Sequence, residues 1–306
     1  MLYMWEVKRT MRAFRLQIHY LLMLLPGLIL LLMFEITPLF GSVLAFQNYL
    51  PGLPIFQQEW VGFENFRYMF LMSDSALIFR NTIAIASMKI VCNLVVPLVL
   101  ALLLNEVRHR LFKRWVQTIV YLPHFLSWVI LAGILAELLS LSGIVNRTME
   151  RIGIEPVMFL ASNTWFPVVI VGSDVWKELG FNLVIYLAAL TGINPSLYEA
   201  AESDGATRLQ RIWYITVPGI SSTAILLATL SIANVLNAGF DQIFNLYNPA
   251  VYQTGDIIDT YVYRAGLLEF QYSLATAIGL LKSVLSFILI IVAYTLASKI
   301  SDYRIF

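Results

Sequence analysis

The chain has 306 residues, of which 59% are hydrophobic and 13% are charged. Soluble domains usually carry about a quarter charged residues, so this composition excludes an ordinary soluble fold and indicates a polytopic membrane protein. The formal net charge of +1 points to neither nucleic acid nor a strongly acidic partner. A single cysteine, Cys92, permits no disulfide within the chain and argues against a thiolate metal site.

The N-terminal residues 1–19 carry four basic residues ahead of the first apolar run. A signal peptide also begins with basic residues, but no small-residue cleavage site follows this run. Instead Pro26, Glu35 and Pro38 interrupt or end it. We therefore predict a retained first span, preceded over residues 1–19 by an amphipathic segment at the membrane surface.

Six apolar stretches predict an all-α membrane domain over residues 20–306. The fourth stretch is the weakest because Asp174, Lys177 and Glu178 lie within it. The fifth is rich in small and polar residues, which indicates contact between helices rather than exposure to lipid. The pattern reveals neither inverted repeats nor broken helices. The predicted spans are about 20–43, 82–104, 117–139, 166–190, 218–240 and 275–297.

Basic residues predict the orientation of these spans. With the N-terminus inside, twelve lysines and arginines fall in cytoplasmic segments, five fall outside, and three lie within spans. This distribution predicts that both termini and the polar segment 194–218 are cytoplasmic. The external loops are then 44–81, 140–165 and 241–274, of which the last is the most polar.

The polar segment 194–218 is predicted to begin with a short helix. Asn194 is suited to cap this helix, and Pro195 is suited to its first position. The helix should run to about Asp204, where Gly205 supplies a left-handed residue that ends it. Isolated helices of about ten residues are marginal in water, so this one needs a packing partner.

A second helix is predicted over about 207–213, and Pro218 then begins the fifth span. An ordinary solvated loop remains an alternative, because two pairs in the segment have simple local explanations. Ser196 and Glu199 could form a capping box. Asp204 and Arg208 could form a weak surface ion pair.

One motif in this segment has a specific spacing: Glu199-Ala-Ala201, three residues, Gly205, nine residues, Ile215, one residue, then Val217-Pro218. The motif resembles the EAA loop of permease subunits of type I ABC importers. Val217 stands where that family usually has Leu, and Ser203 where related sugar permeases usually have Ile. Other stretches resemble the carbohydrate and oligosaccharide uptake permeases, in particular the subgroup that imports polysaccharide breakdown products. They are 62–66 with Asn81 and Thr82, 180–193, and 237–267.

The resemblance implies one half of a translocation pathway in a bacterial plasma (inner) membrane. Besides membrane lipid, the implied partners are a second homologous permease subunit, two cytoplasmic ATP-binding subunits and an extracytoplasmic solute-binding protein. The chain has no G-x-x-x-x-G-K phosphate loop, so we expect no cofactor and no catalytic activity here, with ATP and Mg on the partner subunits. By the resemblance, the residues that couple to the ATPase are Glu199, Ala200, Ala201, Asp204, Gly205, Arg208 and Pro218.

Ionisable residues inside membrane spans are costly, and by default they are functional candidates. Lys89 and Lys282 either snorkel or form structural pairs, or they face the pathway and favour acidic sugars such as uronate oligomers. Both interpretations remain open for these two lysines. For Lys177 the structural interpretation is favoured, either snorkelling or a pair such as one with Asp174 or Glu178.

The outer half of the predicted fifth span carries residues suited to a sugar. Sugar sites combine aromatic faces with amides and carboxylates that bind ring hydroxyls, so we assign these residues to the substrate pathway. Hydrogen bonding between helices is the alternative, and it is at least as well supported for Asn234. The candidates are Asn237, Phe240, Asp241, Gln242 and Tyr247, with Phe244 beside them.

The three histidines, His19, His109 and His124, are scattered and predict no metal site, and no Ser/His/Asp arrangement predicts a catalytic site. A membrane enzyme is therefore the third hypothesis. The second is a secondary transporter or channel subunit that works without ATP, a class in which inverted repeats and broken helices are common. A second permease gene and a binding-protein gene beside this one would favour the importer.

Overall fold

The computed structural model describes residues 20–300, except for the side chains of residues 233 and 296–300. These residues form an all-α fold apart from one two-stranded antiparallel ribbon, which confirms the predicted fold class. The predicted amphipathic segment 1–19 lies outside the described part of the chain.

The helices and the ribbon follow one another in two groups, separated by the connection after residue 191. The first group consists of α1 (Tyr20–Phe46), β1 (Gln47–Asn48), β2 (Glu59–Trp60), α2 (Glu64–Leu71), α3 (Ser75–Glu106), α4 (Arg110–Tyr121), α5 (Trp128–Leu138), α6 (Ile144–Arg151) and α7 (Trp165–Thr191). The second consists of α8 (Pro195–Ser203), α9 (Arg208–Ile232), α10 (Phe240–Leu246), α11 (Tyr252–Gly255), α12 (Ile258–Tyr263) and α13 (Tyr272–Ile300).

Four of these helices, α1, α3, α9 and α13, are long and apolar enough to cross a membrane. The bent pair of α4 and α5 adds a fifth if the pair is one span. At about 1.5 Å per residue, α7 is also long enough to cross, but it carries Asp174, Lys177 and Glu178 near its middle. The chain is therefore a multi-pass membrane protein, and α7 occupies the place of the predicted fourth span.

The end of the bundle that carries α8, here called the loop end, is held by apolar packing between α3, α4, α7 and α9. Ala101, Leu183, Tyr186 and Ile220 are buried there in one cluster. Gly180 lets α4 approach α7, since a Cβ at this position would lie 2.7 Å from the Cα of Tyr121. Small residues permit such close contacts between helices in a membrane.

The opposite end, here called the far end, contains two further apolar clusters. One joins α3, α5, α7 and α10, and Phe166 and Ile243 are fully buried in it. The other joins α2, α3, α12 and α13 around Met69 and Ile258. The polar segment between α9 and α13 is therefore packed onto the spans instead of hanging free as a loop.

Two predicted spans are broken, contrary to the sequence prediction of unbroken helices. The predicted span 117–139 consists of α4, a 3-10 turn at Leu122–Phe125, and α5, with a bend of 107° between the two parts. The predicted span 218–240 ends early, because Asn234 caps α9 and Gly239, at φ +93°, precedes α10. Side chains from other helices donate to backbone carbonyls left without partners at both breaks.

The first helix, α1, stands away from the remaining helices. Its side chains are largely exposed, including Met23 at 80% and Phe34 at 67%. Its last turns, Phe40–Phe46, pack against α13 and α2. An apolar helix exposed in this way requires lipid or another protein around it.

Candidate functional site

Lys89, near the middle of α3, is the centre of a buried polar network. Its ammonium nitrogen lies 3.0 Å from Oδ1 of Asp174 and donates a hydrogen bond of 2.7 Å to the carbonyl of Ala238. It also donates to Oε1 of Gln242. Lys89 is 6% exposed, so these three acceptors replace its water shell. Through them the side chain ties α3 to α7 and caps the break after α9.

Gln242 and Asn93 complete this network. The Gln242 amide nitrogen donates to the carbonyl of Ile170 at 2.7 Å and to Oγ of Ser173 at 2.8 Å. Asn93 donates to Oδ2 of Asp174 at 2.8 Å. Because Gln242 is fully buried, its hydrogen bonds are not exchanged with water. They fix α10 to α7 even though the chain between α9 and α10 is irregular.

Lys177 serves the other break in the same way. Its ammonium nitrogen donates two hydrogen bonds of 2.8 Å to the carbonyls of His124 and Leu126, between α4 and α5, and lies 5.6 Å from the ring centre of Trp128. Lys177 therefore has a structural role, as the sequence favoured, but its partners are backbone carbonyls, and no ion pair with Asp174 or Glu178 is formed among the described residues. The free carbonyls of a broken helix are better partners because they have lost their own donors.

A polar cavity of about 310 Å³ adjoins the Lys89 network. Four amide side chains from α3, α7 and the end of α9 line it, together with the Lys89–Asp174 pair and Glu178. Glu178 also lies 3.2 Å from the imidazole of His124. Amides can donate to and accept from hydroxyl groups, so the wall is suited to a polar, hydroxylated ligand. The amides are those of Asn93, Asn182, Asn234 and Asn237.

A larger groove of about 920 Å³ lies on the other side of Asn237, between α1, α12 and α13. Its wall is mainly apolar and includes the rings of Phe240 and Tyr263. Lys282 enters it from α13 and pairs with Asp259 at 2.5 Å. The positive charge of Lys282, like that of Lys89, is therefore compensated within the chain.

Aromatic rings continue outward from the groove along α10. The ring centres of Phe240 and Phe244 are 5.2 Å apart, those of Phe244 and Tyr247 are 6.2 Å apart, and those of Tyr247 and Tyr252 are 5.3 Å apart. Tyr263 packs edge-on against Phe244 at 4.8 Å. Burial raises the pKa of Tyr247 to about 12, and the neighbouring Tyr252 adds to that shift.

Arg264 and Asp256 form an ion pair beside Tyr252, the last ring of this row. A guanidinium nitrogen of Arg264 lies 2.6 Å from Oδ2 of the buried Asp256, and the guanidinium lies 4.4 Å from the ring centre of Tyr252. Burial acts to lower the pKa of Arg264, but the hydrogen bond and charge of Asp256 raise it above the ordinary arginine value. Asn81 of α3 donates to the Asp256 carbonyl at 3.2 Å. This segment is therefore held rigidly against α3.

The predicted first helix of the polar segment is α8. Asn194 caps it, accepting a hydrogen bond of 3.0 Å from the Ser196 N–H, and Gly205 follows its end at φ +77°. The capping box lies in the next helix, between Thr207 and Gln210, and not between Ser196 and Glu199. The turn chemistry expected from the sequence is therefore present at both ends of α8.

The second helix differs from the prediction, because Pro218 does not begin a new helix. A π-helical turn at Ile212–Thr216 joins Arg208–Arg211 to the rest of α9. Proline is tolerated there since it stands in the first turn of the regular segment that follows. The loop is thus a rigid extension of the fifth predicted span.

Two contacts tie α8 to α9. The Tyr198 hydroxyl and the Thr216 hydroxyl are 2.9 Å apart, and a guanidinium nitrogen of Arg211 lies 3.2 Å from Oε2 of Glu202. The pair suggested by the sequence, Asp204 with Arg208, is not formed among the described residues. Of the residues predicted to couple to an ATPase, all are exposed except the partly exposed Ala201: Glu199, Ala200, Asp204, Gly205, Arg208 and Pro218.

The structure brings together only some of the predicted pathway residues. Asn237 lines both the cavity and the groove, Lys89 lines the cavity, and Phe240 and Lys282 line the groove. Gln242 is buried in the Lys89 network, while Asp241 and Tyr247 line neither space. Residues that sequence reasoning did not assign to the pathway line these spaces as well. They are Asn93, Asn182, Asp259 and Tyr263, whose only signal was a polar or aromatic side chain within or beside an apolar run.

A multi-span helical bundle with an exposed helical loop at one end and a polar cavity between its spans is the architecture of a membrane transport subunit. The chain belongs to the family described as binding-protein-dependent transport system inner membrane component, whose model matches residues 93–302. It is therefore an ABC transport permease of a system that depends on a binding protein.

Relatives and solved structures cover nearly the whole chain. The chain is 41% identical over 291 residues to the polygalacturonan/rhamnogalacturonan transport system permease protein YteP of Bacillus subtilis (strain 168), covering 95% of this chain and 91% of that one. It is 41% identical over 286 residues to Protein LplB of the same organism, covering 93% and 90%. It also matches a chain in the crystal structure of a bacterial ABC transporter involved in the import of the acidic polysaccharide alginate, at 37% identity and a TM-score of 0.88, covering 96% and 99%.

Proposed function

We propose that this chain forms one half of the pathway of an ATP-driven oligosaccharide importer and transmits motion from cytoplasmic ATPase subunits through α8. The observation that carries this proposal is the geometry of the loop end. Along its length α8 is tied to the start of α9 by the Tyr198–Thr216 and Glu202–Arg211 contacts, yet Glu199 and Asp204 remain exposed. A rigid, uncovered extension of a span is suited to receive force from a partner.

In this proposal ATP and Mg bind to two cytoplasmic ATP-binding subunits and not to this chain. The distribution of basic residues along the sequence supports a cytoplasmic position for the loop end and both termini. The far end then faces the solute-binding protein on which such a transport system depends. The second permease subunit covers part of the exposed surface of α1, where Met23 and Phe34 have no cover in the described chain.

Substitution at two exposed positions of the loop tests whether α8 transmits motion from the ATPase subunits. Glu199→Lys reverses a charge on α8, and Gly205→Asp places a side chain at φ +77°. We expect both variants to insert into the membrane normally but to lose co-purification with the ATPase subunits, or coupled ATP hydrolysis. Arg147→Gln on the far-end helix α6 is the matched control. Normal coupling in both loop variants would reject this role.

For the substrate we propose oligosaccharides derived from uronate-containing polysaccharides. One relative is named as a polygalacturonan/rhamnogalacturonan permease, and a solved neighbour belongs to an alginate importer. The amide-lined cavity beside Asn237 and the aromatic rings that begin at Phe240 supply contacts for hydroxyls and ring faces. The pathway of this chain then binds the hydroxyls and ring faces of the sugar and not its carboxylates, since Lys89 and Lys282 are already paired with carboxylates of the chain.

Measuring ATP hydrolysis by the reconstituted complex with a panel of loaded binding proteins tests this substrate class. Stimulation by galacturonate-containing oligosaccharides supports it. Stimulation by neutral oligosaccharides alone would contradict it.

A further inference from the structure

A small cleft of about 230 Å³ lies at the loop end, between the α3–α4 connection and the loop formed by α8 and the start of α9. Three arginines from two distant parts of the sequence line it. They share the wall with one phenol, one amide and one carboxylate. The lining residues are Asn105, Glu106, Arg108, Tyr198, Arg208 and Arg211.

The charges around this cleft are not balanced within the chain. Arg211 pairs with Glu202 at 3.2 Å, but between residues 20 and 295 neither Arg108 nor Arg208 has an ion-pair partner. Glu106 is the remaining carboxylate, so three guanidinium groups face two carboxylates. Guanidinium groups form two parallel hydrogen bonds to phosphate, which makes converging arginines suited to this group.

The cleft also lies where apolar surface ends. Leu103, five residues before Arg108, is 61% exposed, and Leu111, three residues after it, is 63% exposed. Trp115 on α4 is 67% exposed, and tryptophan is enriched at the boundary between hydrocarbon and headgroups. Lipid that covers this apolar surface would bring its phosphate to the height of the cleft. Basic pockets between spans at such a height bind anionic lipid headgroups.

We propose that this cleft binds the phosphate of an anionic phospholipid in the leaflet nearest α8, with Arg108 and Arg208 as its main ligands. Arg108 belongs to the connection between two spans, whereas Arg208 belongs to the loop that we propose couples to the ATPase. One lipid therefore bridges the span connection and the coupling loop. This site lies beyond the proposed transport function and does not depend on the identity of the sugar.

The purified importer complex, containing this chain and its partner subunits, provides the test. Native mass spectrometry during titration with phosphatidylglycerol or phosphatidylcholine measures how many lipids of each kind remain bound. We expect the wild type to prefer phosphatidylglycerol. This preference should fall roughly fivefold in Arg108→Gln, because one basic residue at a membrane surface contributes about that factor to the binding of anionic lipid. Arg147→Gln removes an exposed arginine from the far-end helix α6 and should leave the preference unchanged.

Glu106→Gln should change lipid retention in the opposite direction, and an increase in retention cannot result from a less stable protein. Removing this carboxylate should strengthen retention of phosphatidylglycerol, because it removes repulsion from the cleft. Equal retention of the two lipids by the wild type would overturn the proposal. So would stabilisation of the delipidated complex by inorganic phosphate without any preference between lipids. Loss of ATPase subunits from Arg108→Gln with lipid binding intact would instead assign the cleft to an acidic protein partner.

Discussion

The ammonium nitrogen of Lys89 lies 3.0 Å from Oδ1 of Asp174, and this ion pair crosses the contact between α3 and α7. The same nitrogen reaches the Ala238 carbonyl, where the backbone leaves helical geometry after α9. One lysine therefore compensates a carboxylate inside a membrane span and supplies a donor to a broken helix. Both tasks need a buried positive charge, and neither needs a ligand.

Lys89→Met should be strongly destabilising. It leaves Asp174 in a largely buried position without its cation, and breaking a buried pair from one side costs about 3–5 kcal/mol in folded proteins. The double variant Lys89→Met/Asp174→Asn should recover part of this loss, which a double-mutant cycle on the thermal unfolding of the purified complex measures. Lys113→Met, at a basic residue of α4 with no ion pair among the described residues, is the control. A double variant no more stable than Lys89→Met would contradict the pairing.

The paired lysines also lead to a prediction about selectivity. Because the charges of Lys89 and Lys282 are compensated by Asp174 and Asp259, neither should select acidic substrates. Lys282→Met and Lys89→Met should therefore reduce uptake of acidic and neutral oligosaccharides by the same factor. Transport assays with a matched acidic and neutral pair measure this. A selective loss of acidic uptake would restore the hypothesis that the lysines bind uronate carboxylates.

The spans and the polar loop could be read from the sequence because their signals are local. Apolar runs predict the spans, and Asn194, Pro195 and Gly205 mark the ends of α8 by their own backbone chemistry. The motif around Glu199 carried the family resemblance, which the match over residues 93–302 confirms.

The two helix breaks could not be predicted, because their stabilisation is not local. Pro123 and His124 lie at the break between α4 and α5, but the apolar residues on both sides make the hydropathy pattern look like that of one span. The donor that stabilises this break is Lys177, 53 residues from the His124 carbonyl, and the donor at the other break is Lys89, 149 residues from Ala238. Only tertiary packing brings these groups together, of α7 against the turn at Leu122–Phe125 and of α3 against the end of α9. Without it, the lysines could equally be assigned to substrate or to a carboxylate.

Gly239 should be intolerant of any side chain. Its φ of +93° is a conformation that other residues rarely adopt, and a Cβ would lie 2.8 Å from Nζ of Lys89. We expect Gly239→Ala to cost about 1–3 kcal/mol of stability through backbone strain alone. Gly172→Ala is a matched control, since Gly172 lies within α7 with nothing within 4 Å of an added Cβ. That substitution should be neutral or stabilising by up to about 1 kcal/mol. Equal melting temperatures for the two variants would contradict the conformational role of Gly239.

Tyr247 should contribute to stability in a way that depends on alkaline pH. Its pKa is about 12 in the folded chain, mainly because burial disfavours the phenolate, against about 10 in an unfolded chain. The folded state therefore holds the phenolic proton more tightly. The contribution is complete below the unfolded pKa and is lost as pH rises through the folded pKa.

In Tyr247→Phe the stability should fall less steeply across this window, and one late-titrating phenol should disappear from the tyrosinate absorbance curve. Tyr214→Phe, which removes a phenol at a residue that is 79% exposed, is the control. An unchanged late phase in Tyr247→Phe would contradict the assignment of this raised pKa to Tyr247.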